Sequence, residues 1–256
     1  MKTFLDVYSD YGSIISYSSQ NLLGNMPAKN VLSQVPMSWS TVSASTHTIV
    51  GSLSFIDDDS YICPIDSYYI DIEYAPIGST FRLELLTTLI GPPNYVFTNY
   101  NTKEKDILYL IGNTGLSVGG FWKLTVTPPY PSVIKLNRVM VGQAWLPNLT
   151  VAGDITIAKN SIIKTDRQRN GGIFLPTSIN YRTNTVQYKE LDKDTSFALL
   201  DALSRYGSGT TIFIEGLINT SAFTFTSIYG RLIKWTDPIK SVSGNYSITL
   251  TIEETI

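Results

Sequence analysis

Apolar and polar positions alternate in short runs along most of this chain. In Phe81-Arg82-Leu83-Glu84-Leu85 the charged residues share one side of an extended backbone and the apolar residues the other. Runs of this kind predict strands over residues 13–17, 47–55, 68–74, 80–89, 107–111 and 121–127. Turn residues punctuate them, at Gly78-Ser79, Gly91-Pro92-Pro93, Gly112-Asn113-Thr114-Gly115 and Pro128-Pro129. Further strands are predicted over 133–141, 153–157, 162–165, 172–175, 184–188, 210–215, 224–235 and 246–253, the last with period-two apolar positions at Tyr246, Ile248, Leu250 and Ile252.

One segment changes period. Leu199, Leu200, Leu203 and Tyr206 fall on one helical face, Asp194 or Thr195 can cap the start, and Gly207 suits the stop, which predicts a helix near 195–206. The densest proline cluster, Thr127-Pro128-Pro129-Tyr130-Pro131, cannot lie in a central strand and places a domain boundary close to Lys135. The expected architecture is therefore mainly β. A jelly-roll-like β-sandwich over 1–135 is followed by a second β-rich domain over 136–256 that contains the helix.

Composition supports that reading. The 256 residues include 16 Tyr, only 16% are charged, and the hydrophobic share is 43%, enough to build a core. No segment approaches the roughly 20 apolar residues of a membrane span, and Asp6 and Asp10 interrupt the opening, so neither membrane insertion nor a signal peptide is expected. A net charge of −2 without a basic block argues against nucleic acid as a partner.

Candidate chemistry is sparse. A single histidine, His47, and a single cysteine, Cys63, exclude an internal disulfide and any one-chain zinc site that needs two histidines or two cysteines. His47 in Ser45-Thr46-His47-Thr48-Ile49 has no nucleophile elbow beside it and reads as a strand or strand-edge residue. Asp57-Asp58-Asp59 could attract calcium but lacks EF-hand spacing and reads as a solvated turn. Two carboxylates suffice for a glycosidase, yet no pair stands out among the acidic residues. No catalytic residue, metal ligand or cofactor site is assigned, and no enzyme activity is expected. Gly207-Ser208-Gly209-Thr210-Thr211 lacks the Lys-Ser/Thr ending of a phosphate loop and reads as a helix-to-strand connection. The polar stretch Lys164–Gly172 reads as a hairpin tip, and Arg167 and Arg169 within it are the candidates for pairing with carboxylates of a neighbouring subunit. Trp39, Trp122, Trp145 and Trp235 read as core more readily than as sugar-stacking platforms.

The segments Ser18-Ser19-Gln20-Asn21-Leu22-Leu23, Pro27-Ala28-Lys29-Asn30-Val31-Leu32 and Ser38-Trp39-Ser40 are similar to the opening of galactose-binding-like jelly rolls in phage tail proteins. Val141-Gly142-Gln143-Ala144-Trp145-Leu146-Pro147-Asn148, then Asp166-Arg167-Gln168-Arg169-Asn170-Gly171-Gly172, resembles a layout in minor tail proteins of long-tailed bacteriophages, as does the closing order of helix and strands. The resemblance implies a structural subunit of a tail tip or baseplate, made in the host cytoplasm and carried in the virion. Its implied partners are other tail proteins in a symmetric complex, and no catalytic residues come with it. A carbohydrate-binding module that recognises a host-surface glycan through the N-terminal sandwich is the alternative.

Overall fold

The computed structural model describes residues 3–7, 9, 12–20, 26–32, 38–54, 63–112, 117–145, 154–162, 166–167, 173–174, 179–207, 211–214 and 228–254. The chain divides into two compact units, Lys2–Leu146 and Pro147–Ile256. The boundary expected near Lys135 thus gives way to one at 146/147. The proline cluster is a loop inside the first unit, and the strand that follows it, Lys135–Trp145, lies in the facing sheet of the same unit.

The first unit is a β-sandwich of antiparallel strands. One sheet has five strands in the order β2 (Ile14–Tyr17), β4 (His47–Ser52), β11 (Phe121–Thr127), β7 (Thr80–Leu86) and β8 (Tyr95–Tyr100). The other runs β1 (Thr3–Val7), β12 (Lys135–Trp145), β6 (Ser67–Tyr74) and β9 (Asp106–Leu110), with β3 (Trp39–Ser40) paired to the start of β12. A small ladder joins β5 (Cys63–Ile65) to β10 (Ser117–Gly119).

Alternation explains the core. Ile49, Leu83, Leu85, Trp122 and Leu124 enter it from the five-stranded sheet, and Ile70, Ile72, Leu136, Val139 and Val141 from the other. The charged alternates remain outside: Glu84 sits between Arg82 and Lys123 at 2.9 and 3.0 Å on the outer face. Trp39 and Trp122 are fully buried, while Trp145 and Trp235 are half-buried. Gly51 is required by the Trp122 ring, since a Cβ there would lie 2.5 Å from its Cε2.

The second unit has a sheet in the order β13 (Asp154–Ile162), β16 (Ile179–Leu191), β20 (Tyr246–Glu254), β18 (Ile228–Trp235) and β17 (Thr211–Ile214), with β19 (Ile239–Lys240) on β20. Val186, Tyr188, Ile248, Leu250, Ile252 and Leu232 are buried at alternate positions. The single described α-helix, α1 (Lys193–Tyr206), packs against β20 and buries Leu199 and Leu203. Its cap is Asp192, not Asp194 or Thr195: the carboxylate accepts from the Thr195 N–H at 2.8 Å and the Thr195 hydroxyl at 2.6 Å. Gly207 ends it at φ 73, a left-handed conformation glycine adopts without steric cost.

Candidate functional site

Strand pairing decides which loops meet at one end of the sandwich. Because β6 pairs β12 while β7 pairs β11, the connections 75–79 and 128–134 cross between the sheets side by side. By the same logic 101–105, between β8 and β9, flanks the first, and 41–46, between β3 and β4, flanks the second. Four crossings therefore lie next to one another in the order 41–46, 128–134, 75–79, 101–105.

Buried polar groups lace them from below. Ala44 and Ser132 exchange backbone hydrogen bonds at 3.2 and 3.1 Å, the Thr41 N–H donates to the Ile134 carbonyl at 3.0 Å, and the Ile134 N–H to the Thr41 hydroxyl at 2.9 Å. His47 opens β4, fully buried, with Nε2 2.9 Å from the Ser132 carbonyl. Burial holds its imidazole below the usual 6.5, outweighing the carbonyls of Ser132 and Ala44 that favour the proton. On the other side, Asn101 is the knot. Its Nδ2 donates to the Ala75 carbonyl at 3.1 Å and the Lys103 carbonyl at 2.7 Å, its carbonyl accepts from Gly78, and its N–H reaches Ser79. Asp106 gathers the Thr102 and Lys103 N–H groups at 2.8 and 3.3 Å.

Above this lacing the end is apolar and aromatic. Tyr130 is 59% exposed between Pro129 and Pro131, with Val42 and Ile77 exposed on the neighbouring crossings. The crossings 41–46, 128–134 and 75–79 contain no charged residue; hydroxyls of Ser43, Ser45 and Thr46 supply the polarity. The lysines and glutamate of this end, Lys103, Glu104 and Lys105, lie on the outermost crossing.

A second polar cluster lies on β6. Asp71 and Glu73 alternate with the core residues Ile70 and Ile72, so both carboxyls leave the sheet on the opposite face. The Ser38 hydroxyl donates to Glu73 and lies 2.9 Å from the Asn137 Oδ1. Burial pushes the Asp71 carboxyl up, against the pull of Asn137 and Lys105, and Glu73 adds to the upward push. These carboxylates, two residues apart in a strand that the sequence predicts but with no motif to single them out, sit within a hydrogen-bonded network. Among the described residues no three or more His, Cys, Asp or Glu side chains converge as a metal site.

The sequence candidates fall elsewhere. Arg167 lies in β14 (Asp166–Arg167), paired with Ile173 of β15 (Ile173–Phe174), while Arg169 and Asp57–Asp59 lie outside the described residues. Tyr130, singled out by no motif, was marked only by the prolines around it.

Fold and site together define a β-sandwich with a braced loop end, three of whose four crossings carry no charge, followed in the chain by a helix-bearing β unit. No protein-family model matches the chain, and no curated protein does. Several solved structures share its outline over about half its length. They include the family 32 carbohydrate-binding module of C. perfringens NanJ in complex with galactose, at TM-score 0.42 and 9% identity, covering 55% of this chain and 98% of that one. A chitosan-binding module from Paenibacillus sp. IK-5 has TM-score 0.38 and 15% identity, covering 49% and 91%. A fucosidase from Ruminococcus gnavus in complex with fucose has TM-score 0.44 and 14% identity, covering 55% and 27%.

Proposed function

We propose that the chain is a binding protein rather than an enzyme, and that its N-terminal sandwich recognises a neutral glycan at the loop end. The observation that carries this is Tyr130, held exposed between two prolines on a crossing that is itself uncharged, lies between two uncharged crossings and is tied down from beneath. A pyranose ring has an apolar C–H face and a rim of hydroxyls. An exposed aromatic face packs against the first, and serine and threonine hydroxyls with loop backbone groups bond the second. Loops fixed before the ligand arrives lose little entropy on binding, which matters for a ligand as small as a sugar. Three crossings without charge favour a neutral sugar over a uronate or sulfate.

The test is titration calorimetry of the full chain. Galactose and fucose, which structures of similar outline hold, make the first panel, with chitosan oligomers, which carry protonated amines, as the charged comparison. Tyr130→Ala is expected to weaken binding about tenfold or more, the equivalent of about 1.4 kcal/mol, while leaving the melting temperature unchanged. Absence of any glycan binding, or equal affinity in the variant, refutes this reading.

Assembly into a bacteriophage tail tip is the second reading, and the observation that favours it is the outer edge of β8, unpaired among the described residues. Antibody labelling of particles in the electron microscope tests it: label confined to the distal tail supports it, and no label, with the epitope exposed on dissociated particles, refutes it.

A further inference from the structure

The strand β8 ends the five-stranded sheet, with no partner on its outer side among the described residues. Sheet edges are normally guarded by lysine, proline or a bulge, because their free N–H and C=O groups recruit other strands. The opposite edge, β2, is bulged between Ile14 and Ser16. The edge of the other sheet, β9, opens on Asp106 directly after Lys103-Glu104-Lys105. β8 carries none of these guards. Its sequence is Tyr-Val-Phe-Thr-Asn-Tyr, its pairing with β7 is regular over all six residues, and no charged residue occurs between Glu84 and Lys103.

The hydrogen-bond pattern shows which groups are free. The Asn101 N–H crosses to the Ser79 carbonyl, so the preceding Tyr100 N–H points the other way, where it meets its own neighbour, Asn99 Oδ1, at 2.9 Å. Directions alternate along a strand, so the N–H and C=O of Thr98 and Val96 also point outward. These same residues carry the solvent-facing side chains, Tyr100 at 64% and Val96 at 37% exposure, while Phe97 enters the core.

We propose that the chain forms a two-fold dimer in which β8 pairs antiparallel with β8 of a second copy, with Thr98 on the axis. This register is self-complementary. Thr98 faces Thr98, and Val96 and Tyr100 face each other on both sides of the axis, a β-branched residue against an aromatic one, with no like charges opposed. Each copy supplies outward donors and acceptors at Val96, Thr98 and Tyr100, so every one of them finds a partner once Tyr100 releases Asn99. The two five-stranded sheets become one continuous sheet. Six residues of edge bury less than a standard interface, so the dimer is weak and concentration-dependent. The inference does not rest on glycan binding and is tested without sugar.

Sedimentation equilibrium of the full chain over about a hundredfold range of concentration, ending in the upper micromolar region of transient contacts, is expected to show monomer passing to dimer. Thr98→Lys opposes two ammonium groups on the axis and is expected to keep the chain monomeric throughout, with an unchanged melting temperature because the site is exposed. As a second readout, Thr98→Cys with Cys63→Ser is expected to form a covalent dimer on mild oxidation. Residues exchanging both backbone bonds have Cα atoms about 5.5 Å apart, within disulfide reach. A wild-type chain that stays monomeric, a Thr98→Lys chain that dimerises like wild type, or a cysteine variant that does not cross-link overturns the proposal.

Discussion

Asn101→Ala removes the side chain that ties the 75–79 crossing to 101–105. Asn101 is 1% exposed, and its Nδ2 serves the Ala75 carbonyl at 3.1 Å and the Lys103 carbonyl at 2.7 Å. Lys103 is exposed, so water replaces the lost donor there and the net cost is about 1 kcal/mol. Ala75 is fully buried, and leaving its carbonyl without that donor costs a further 1–3 kcal/mol, roughly. The expected loss is about 2–4 kcal/mol of the first unit's stability. Asn101→Asp keeps the shape but turns a carboxylate oxygen toward two carbonyls, so at neutral pH it is expected to be worse than alanine. The buried carboxyl would titrate above its unfolded value of about 3.9. A raised folded pKa gives a contribution that is present below the unfolded value and lost as pH rises toward the folded one. The aspartate variant therefore recovers relative to alanine as pH falls toward about 4. The assay is urea unfolding followed by tryptophan fluorescence in a Trp235→Phe background, where Trp39, Trp122 and Trp145 all report on the first unit. A deficit under about 0.5 kcal/mol for alanine, within ordinary surface variation, or an aspartate deficit independent of pH, would refute the reasoning.

His47 makes the stability of the same end depend on pH. Its pKa is depressed by burial, so its contribution is complete above the unfolded value of 6.5 and is lost as pH falls through the lower folded value. His47→Gln is expected to flatten the melting temperature between about pH 5 and about pH 7; an unchanged slope would count against the histidine. Gly51→Ala places a methyl 2.5 Å from the Trp122 ring and is expected to cost about 1–3 kcal/mol through overpacking, read as a lowered urea midpoint at constant slope.

The pattern of the chain placed most of the longer strands, and it did so where alternation was clean. Phe81, Leu83 and Leu85 lie in the core and Arg82 outside, as their spacing requires. It missed β8, because Tyr95–Tyr100 follows Gly91-Pro92-Pro93 and is apolar or uncharged on both faces. It also missed β1, which pairs with Phe4 opposite Ala144 across most of the first unit. It read the proline cluster as a boundary, whereas that loop stays within the sandwich and presents Tyr130.

Legible in the sequence were a β-rich chain, the one α-helix found among the described residues, and too few histidines and cysteines for the common metal and nucleophile sites. These are local properties, set by which side chains alternate and which residue types are present. That Val42, Ile77 and Tyr130 share one end, that Asn101 is buried and ties two crossings, and that β8 has no outer partner among the described residues came from the fold. Those facts depend on which strand pairs with which, and pairing is fixed by burying the apolar faces of distant segments against each other, a choice that no short stretch of sequence contains.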